Sequence, residues 1–125
     1  MLSHSEIHAN IPARSLTRAR DFYTRCLGLT PTAEDESSLT FPTPGGSWFQ
    51  VYETSSAGTG KHTVAQWDVE DIAAEVRDLR SRGVTFEEYD LPGVEWHDGV
   101  ASVPGGKVAW FLDSEGNVMC LDQRS

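Results

Sequence analysis

The chain has 125 residues, enough for one domain with its own hydrophobic core. Lysine and arginine total 10 against 19 aspartates and glutamates, so the net charge of −9 opposes contact with phosphate backbones and predicts no nucleic-acid partner. No apolar run approaches the length of a membrane span, and the first residues lack the basic and apolar segments of a signal peptide. The two cysteines, Cys26 and Cys120, form neither a disulfide framework nor a CxxC metal motif. We therefore expect a cytoplasmic protein without a membrane partner.

The first predicted element is a strand. Residues 6–11 alternate apolar and polar side chains, which is typical of a half-buried strand. Pro12 cannot continue a central ladder, so the strand should end there. His8 and Asn10 share one face of this strand, opposite its apolar residues.

An amphipathic helix follows the strand. Ser15 can cap its first turn, and apolar residues recur at helical spacing as far as Cys26. Gly28 is a typical C-terminal stop. Cys26 is therefore expected in the core, beneath the helix.

Short strands complete the first half. A brief strand is predicted within residues 30–38, and two longer strands are predicted at 38–41 and 47–53, joined by a Pro- and Gly-rich turn. On the last strand the apolar side chains face one way. Its other face presents three aromatic or polar residues: Trp48, Gln50 and Tyr52.

The second half repeats this order. Residues 62–69 are predicted to form a strand, with Trp67 on its helix-facing, core side and Gln66 on the opposite face. Asp71 can cap a second amphipathic helix, Gly83 ends it, and residues 84–89 are a predicted strand.

The repetition indicates an internal duplication, in which strand, helix and three further strands occur twice. The predicted boundaries are residues 5–54 for module one and 61–123 for module two, within a single domain of residues 1–125. The second copy has a longer segment at 91–106, which contains Trp96. Loops of that length without structure of their own are often functional.

The last predicted element is a hairpin at residues 107–122. Two apolar runs flank the turn sequence Asp113–Asn117, whose Asp, Gly and Asn residues allow a tight reversal. Trp110 lies on the incoming strand and Cys120 on the outgoing strand. We expect both side chains beside the cavity of the protein.

The repeated βαβββ order, the segment Ser15–Tyr23 running into Cys26–Leu29, and the turn Asp113–Asn117 together resemble the vicinal oxygen chelate superfamily. That superfamily includes glyoxalase I, extradiol dioxygenases, fosfomycin-resistance enzymes and bleomycin-binding proteins. The resemblance extends over nearly the whole chain. It implies an α+β fold in which two βαβββ modules form a curved, glyoxalase-like sheet around a cavity, and it implies a homodimer.

The resemblance also implies where metal ligands would fall. The superfamily's metal enzymes place them on the first and last strands of each module, and the matching positions here are His8, Gln50, Val64 and Cys120. Valine cannot ligate and no carboxylate remains, although divalent oxygen-seeking metals prefer imidazole and carboxylate ligands. No metal cofactor is therefore expected. His62 shares the strand face of Val64, so a fallback site of His8, Gln50, His62 and Cys120 stays open, for zinc or a softer metal.

Two functions stay open at this point. One is a metal-free small-molecule-binding protein of the sequestering or resistance type, whose ligand is aromatic or cationic. The other is a lyase, isomerase or dioxygenase-like enzyme that uses the fallback metal site, or His8 as a general base. The expected ligand contacts are His8, Asn10, Trp48, Gln50, Tyr52, Val64, Gln66, Trp96, Trp110 and Cys120.

Overall fold

Two β-sheets and two helices make up the computed structural model, which describes residues 1–125. The first module contains β1 (Asn10–Ala13), α1 (Leu16–Asp21, continued by a π-helical segment Phe22–Cys26), β2 (Ala33–Glu34), β3 (Ser38–Pro42) and β4 (Trp48–Glu53). The second contains β5 (Thr63–Asp68), α2 (Ile72–Ser81), β6 (Phe86–Glu87), β7 (Glu95–His97), β8 (Val100–Val103), β9 (Gly106–Leu112) and β10 (Val118–Arg124). A short 3₁₀ turn at Leu2–His4 precedes both, and no helix is long and apolar enough to cross a membrane.

The two sheets have corresponding strand orders, although sheet A has four strands and sheet B has six. Sheet A runs β1-β4-β3-β2, and sheet B runs β5-β10-β9-β8-β7. In each module the first and last strands are parallel neighbours, and the remaining neighbours are antiparallel. In sheet B, β6 and β8 pair in succession along the same edge of β9. The matching topologies give the α+β fold of two βαβββ modules that the sequence predicts.

The helix ends lie where the sequence places them. The Ser15 hydroxyl accepts a hydrogen bond from the Arg18 amide at 3.2 Å, and an Asp71 carboxylate oxygen accepts one from the Ala74 amide at 3.1 Å. Each side chain satisfies one of the amides that a helix start leaves without a partner. Gly83 follows α2 with a φ of +95°, a conformation that glycine adopts without steric cost.

One hydrophobic core lies between the sheets. Its 17 buried residues come from both helices and from the helix-covered faces of both sheets. Cys26 belongs to this cluster and Trp67 packs against it, as their positions on the predicted elements indicate. A chain of aromatic side chains links the two modules, with neighbouring ring centroids 5.3–6.4 Å apart: Tyr23, Phe41, Phe49, Trp67 and Phe111. Because both sheets cover the same core, their other faces point away from it.

The turn between β9 and β10 forms hydrogen bonds that link the two modules. It reverses the chain as predicted, but its polar side chains are buried, which the sequence does not indicate. The Tyr23 hydroxyl donates to Asp113 at 2.7 Å, and the Asn117 amide donates to the Pro12 carbonyl at 2.8 Å. Elements about 90 to 105 residues apart in sequence are thereby joined.

Glu115 in this turn makes several of the hydrogen bonds between the modules. Its carboxylate accepts hydrogen bonds from the amides of Arg14 and Ser15 at 2.8 and 3.0 Å, and from the Arg18 guanidinium at 2.7 and 2.9 Å. Burial by itself would raise the pKa of Glu115, but the hydrogen bonds from Arg18, Ser15, Ser114 and Arg14 outweigh it and lower the pKa to about 2. The second module thus holds a charged carboxylate against the start of α1.

The first strand differs from its prediction. β1 begins at Asn10 instead of residue 6, and it continues through Pro12 to Ala13. Proline is tolerated because β1 is an edge strand, so its missing amide removes no ladder hydrogen bond on the open side. His8 therefore precedes the strand, and Ile7, expected on a buried face, is 93% exposed.

The segment 91–106 also differs from its prediction. It is not a structureless loop, because β7 and β8 form a hairpin within it and Trp96 lies on β7. Asp98 and Gly99 make the two-residue turn with φ values of +49° and +82°. Asp-Gly is the dipeptide that such tight hairpin turns favour, and the prediction of a loop overlooked this signal.

Candidate functional site

The open face of sheet A presents the predicted aromatic and polar residues. Phe49 and Val51 are buried beneath β4, so the alternating residues Trp48, Gln50 and Tyr52 face away from the core. The Gln50 side-chain amide donates a hydrogen bond to the Asn10 side-chain carbonyl on the neighbouring strand. This bond gives each side-chain amide one hydrogen-bond partner. The Trp48 indole and the Tyr52 phenol beside them remain partly exposed.

His8 is attached to this face although it lies outside β1. Its ring stacks on Trp48, with centroids 3.6 Å apart and planes 12° from parallel. Nδ1 lies 2.8 Å from the Trp48 carbonyl oxygen, and Nε2 lies 3.3 Å from a Glu6 carboxylate oxygen. Since both ring nitrogens face oxygen partners, a general-base role would require His8 to leave one of them.

The open face of sheet B is built around Trp110. Its indole nitrogen donates to the Thr63 hydroxyl at 3.1 Å. Its ring packs against Tyr89 and Trp96, with centroids 5.6 and 6.0 Å away. We call Tyr89, Trp96 and Trp110 the aromatic cluster. Tyr89 was not among the predicted contacts, although alternation along the predicted strand 84–89 places it on the same face as Glu87, which pairs with Trp110.

Carboxylates lie across the same face. In the β-ladder Trp110 pairs with Cys120, and Cys120 pairs with Gln66 on β5. The Gln66 amide nitrogen is 3.2 Å from Asp68 and 3.5 Å from Asp122. Sequence reasoning missed both aspartates, although each follows a predicted contact by two residues and must share its face. The face therefore combines aromatic rings with negative charge, a pairing that suits a cationic ligand.

Cys120 is a packing residue on this face. Burial raises the pKa of its thiol to about 11, and the negative charge of Asp122 adds to the effect. The thiolate, not the thiol, is the nucleophile and metal ligand, so Cys120 stays unreactive at neutral pH. Val64 is half-buried and packs against the core, beside an irregularity in the pairing of β5 with β10.

The donors of the fallback metal site lie apart in the single chain. His8, His62 and Cys120 do not form a group, since no cluster of three or more His, Cys, Asp or Glu side chains could hold a metal. His62 precedes β5 and its ring lies against Gly60. The Gln50 amide donates to Asn10, and burial raises the pKa of the Cys120 thiol. The four donors are therefore not assembled into one site within the single chain.

A groove of 570 Å³ lies where the edges of the two modules meet. Ile11, Phe49 and Trp67 contribute apolar surface, whereas Trp48 and Gln66 come from the open faces of β4 and β5. The structure thus brings two predicted contact residues from different modules to one concavity. Ligand sites are commonly concave and mostly apolar with a few polar groups, and this groove has that composition.

Paired βαβββ modules with polar and aromatic open faces define a protein of the vicinal oxygen chelate fold, as the sequence predicts. The chain belongs to the Glyoxalase/Bleomycin resistance protein/Dioxygenase superfamily, whose family model matches residues 7–121. A search of curated proteins finds no match.

Solved structures show the same fold. TnmS3, an antibiotic binding protein from Streptomyces sp. CB03234, is 24% identical with a TM-score of 0.67 over 97% of this chain and 98% of its own. A bleomycin-binding protein complexed with bleomycin is 19% identical with a TM-score of 0.71 over 97% and 99%. FosX from Listeria monocytogenes, a fosfomycin resistance protein complexed with Mn(II) and sulfate, is 12% identical with a TM-score of 0.72 over 98% and 91%.

Proposed function

We propose that the chain is a small-molecule-binding protein of the antibiotic-sequestering type, which binds an aromatic, cationic ligand without a metal. The main supporting observation is the aromatic cluster lying on the same face as Asp68 and Asp122. An aromatic ring can stack on the indoles, and a cationic group gains from both the ring faces and the carboxylates. The antibiotic-binding relatives of the same fold are consistent with this ligand class.

We also propose that the protein is a homodimer. The open faces of sheets A and B point away from a shared core, and in this proposal each face supplies one half of the ligand site. A second copy can place its sheet A opposite the sheet B of the first, and enclose a ligand between Trp48 and the aromatic cluster. Apolar side chains at the N-terminal segment, including Ile7, are almost fully exposed in the single chain, which supports burial against a partner.

An enzymatic function has less support. The donors of the fallback metal site lie apart in the single chain, burial raises the pKa of the Cys120 thiol, and the His8 nitrogens face oxygen partners. A lyase or isomerase reaction with His8 as general base remains the alternative to sequestration. It predicts conversion of the ligand, whereas sequestration predicts release of the ligand unchanged.

Tryptophan fluorescence tests the proposal. Titration with bleomycin and with a panel of planar cationic antibiotics should quench the emission of the wild type in a saturable way. Trp110→Ala and Asp122→Asn should each weaken the same titration by about tenfold or more, because each removes an aromatic or charged contact. Asp78→Asn is the matched control, since it removes an exposed carboxylate of α2 with the same change in charge. Equal affinity in all three variants would contradict the proposed site.

A further inference from the structure

A second concavity, on the other side of sheet B, collects positive charge. A pocket of 210 Å³ between α2 and the strands β7 to β9 is lined by Arg77, Arg80, Lys107 and His97. We call it the cationic pocket. Three of the ten lysines and arginines of a chain with net charge −9 therefore meet in one small cavity. Their convergence gives the cavity a local positive potential, which attracts anions.

The topology of sheet B separates this pocket from the aromatic cluster. Trp96 pairs with Ala101, and Ala101 pairs with Val108, so these residues share the open face with Trp110. Lys107 and its partner Ser102 alternate with them and face α2. On α2, Arg77 and Arg80 are three residues apart, which puts them on the same side of the helix. The cationic pocket therefore does not form part of the proposed ligand site.

Arg80 is held in place before any ligand arrives. Its guanidinium lies 5.6 Å from the centroid of the Phe86 ring. A Cβ added at Gly99 would lie 2.7 Å from a guanidinium nitrogen, so the absence of a side chain there makes room for Arg80. The Gly99 amide donates to a Glu88 carboxylate oxygen at 3.0 Å, which links the β7–β8 turn to the residue that follows β6. A cation fixed in this way loses little freedom on binding.

The three strong cations have no carboxylate partner in the protein. Arg18, Arg20, Arg25 and Arg82 each form an ion pair, whereas Arg77, Arg80 and Lys107 form none. The acid at the pocket is Asp98, which lies 3.5 Å from His97 and is largely exposed. The pocket therefore keeps an excess of positive charge.

We propose that the cationic pocket binds a small organic anion, in which a tetrahedral oxyanion such as phosphate or sulfate is attached to a short apolar group. Guanidinium groups match the geometry of such oxyanions through paired N–H donors, and the lysine adds a point charge. Ile72, Val76 and Val100 supply apolar surface for the rest of the molecule. This inference gives the predicted insertion 91–106 a role as one wall of the pocket, and it holds whether or not the aromatic cluster binds an antibiotic.

Calorimetry with phenyl phosphate as the probe tests this site. Inorganic phosphate, which has only the oxyanion, and phenol, which has only the apolar group, are titrated for comparison. We expect phenyl phosphate to bind more tightly than inorganic phosphate, and phenol not to bind. Amide NMR shifts should appear on α2 and the β7–β8 turn and not at the Trp110 indole. The double variant Arg77→Gln/Arg80→Gln should raise the dissociation constant by about tenfold or more, since it removes two charge-assisted contacts.

The matched control is Arg20→Gln/Arg25→Gln, which changes the net charge equally but removes arginines outside the pocket. It should leave the dissociation constant within about twofold of the wild type, because neither arginine lines the pocket and exposed charges are screened by salt. Asp98→Asn keeps a residue that tolerates positive φ and removes the acid, so it should tighten binding. The proposal would be overturned if phenyl phosphate does not bind, or if the amide shifts are confined to the open face. It would also be overturned by equal losses in the two double variants or by no gain in Asp98→Asn.

Discussion

Glu115→Gln tests how much the hydrogen bonds and ion pair of Glu115 between the two modules stabilise the fold. The substitution keeps the size of the side chain but removes the negative charge that Arg18 and the amides of Arg14 and Ser15 bind. Each tenfold change in an acid dissociation constant corresponds to about 1.4 kcal/mol, so lowering the pKa of Glu115 from 4.5 to about 2 is worth at most about 3.5 kcal/mol. The Arg18 side chain is half exposed to water, which screens part of this energy, and we expect a loss of about 2 kcal/mol.

The pH dependence gives the sharper test. A carboxylate with a lowered pKa stabilises the fold above the pKa of the unfolded chain, and this contribution is lost as the pH falls through the folded-state value. In urea unfolding, Glu115→Gln should therefore be less stable than the wild type at pH 7, and the difference should shrink as the pH falls from 4.5 to about 2. Glu36→Gln, at an exposed position, should show no comparable difference. Equal stabilities at pH 7, or a difference that does not change between pH 7 and pH 2, would refute the reasoning.

Three further substitutions or probes address other parts of the structure. Tyr23→Phe removes the hydroxyl that donates to buried Asp113, so urea unfolding should show a loss of about 1–2 kcal/mol, whereas an unchanged midpoint would mean that the bond contributes nothing. In Cys26→Ser protein at pH 7.5, Cys120 should react with a thiol reagent only on unfolding, because its pKa is about 11; rapid labelling of the folded protein would contradict its burial. Gly99→Ala places a side chain at a φ of +82° and against the Arg80 guanidinium. The variant should therefore have a lower thermal midpoint and bind phenyl phosphate more weakly. Wild-type values for both would show that the turn relaxes without cost.

Much of the fold follows from local patterns in the sequence. The caps at Ser15 and Asp71 and the buried stripe of α2 were predictable because capping and helical spacing act within a few residues. Alternation likewise predicted which side chains of β4 leave the core. Pro12 misled the prediction of β1, since the sequence does not show whether a strand lies at the edge or the centre of a sheet.

The candidate site was predictable face by face but not as a whole. Period-two alternation places Gln50 and Trp110 on open faces, and the same rule would have found Asp68 and Asp122. Whether the faces of two sheets meet depends on contacts between residues far apart in sequence. The burial of Glu115 depends on such a contact with Arg18, 97 residues away, and no local pattern encodes it.

Native mass spectrometry tests the central proposal most directly. The protein would be incubated with bleomycin and the panel of planar cationic antibiotics, and the masses of the complex and of the released ligand would be measured. The proposal predicts a dimer that retains a ligand of unchanged mass, with the bound species lost in Trp110→Ala and Asp122→Asn. A monomer that binds none of the compounds, or a ligand released with a different mass, would contradict sequestration by a dimer.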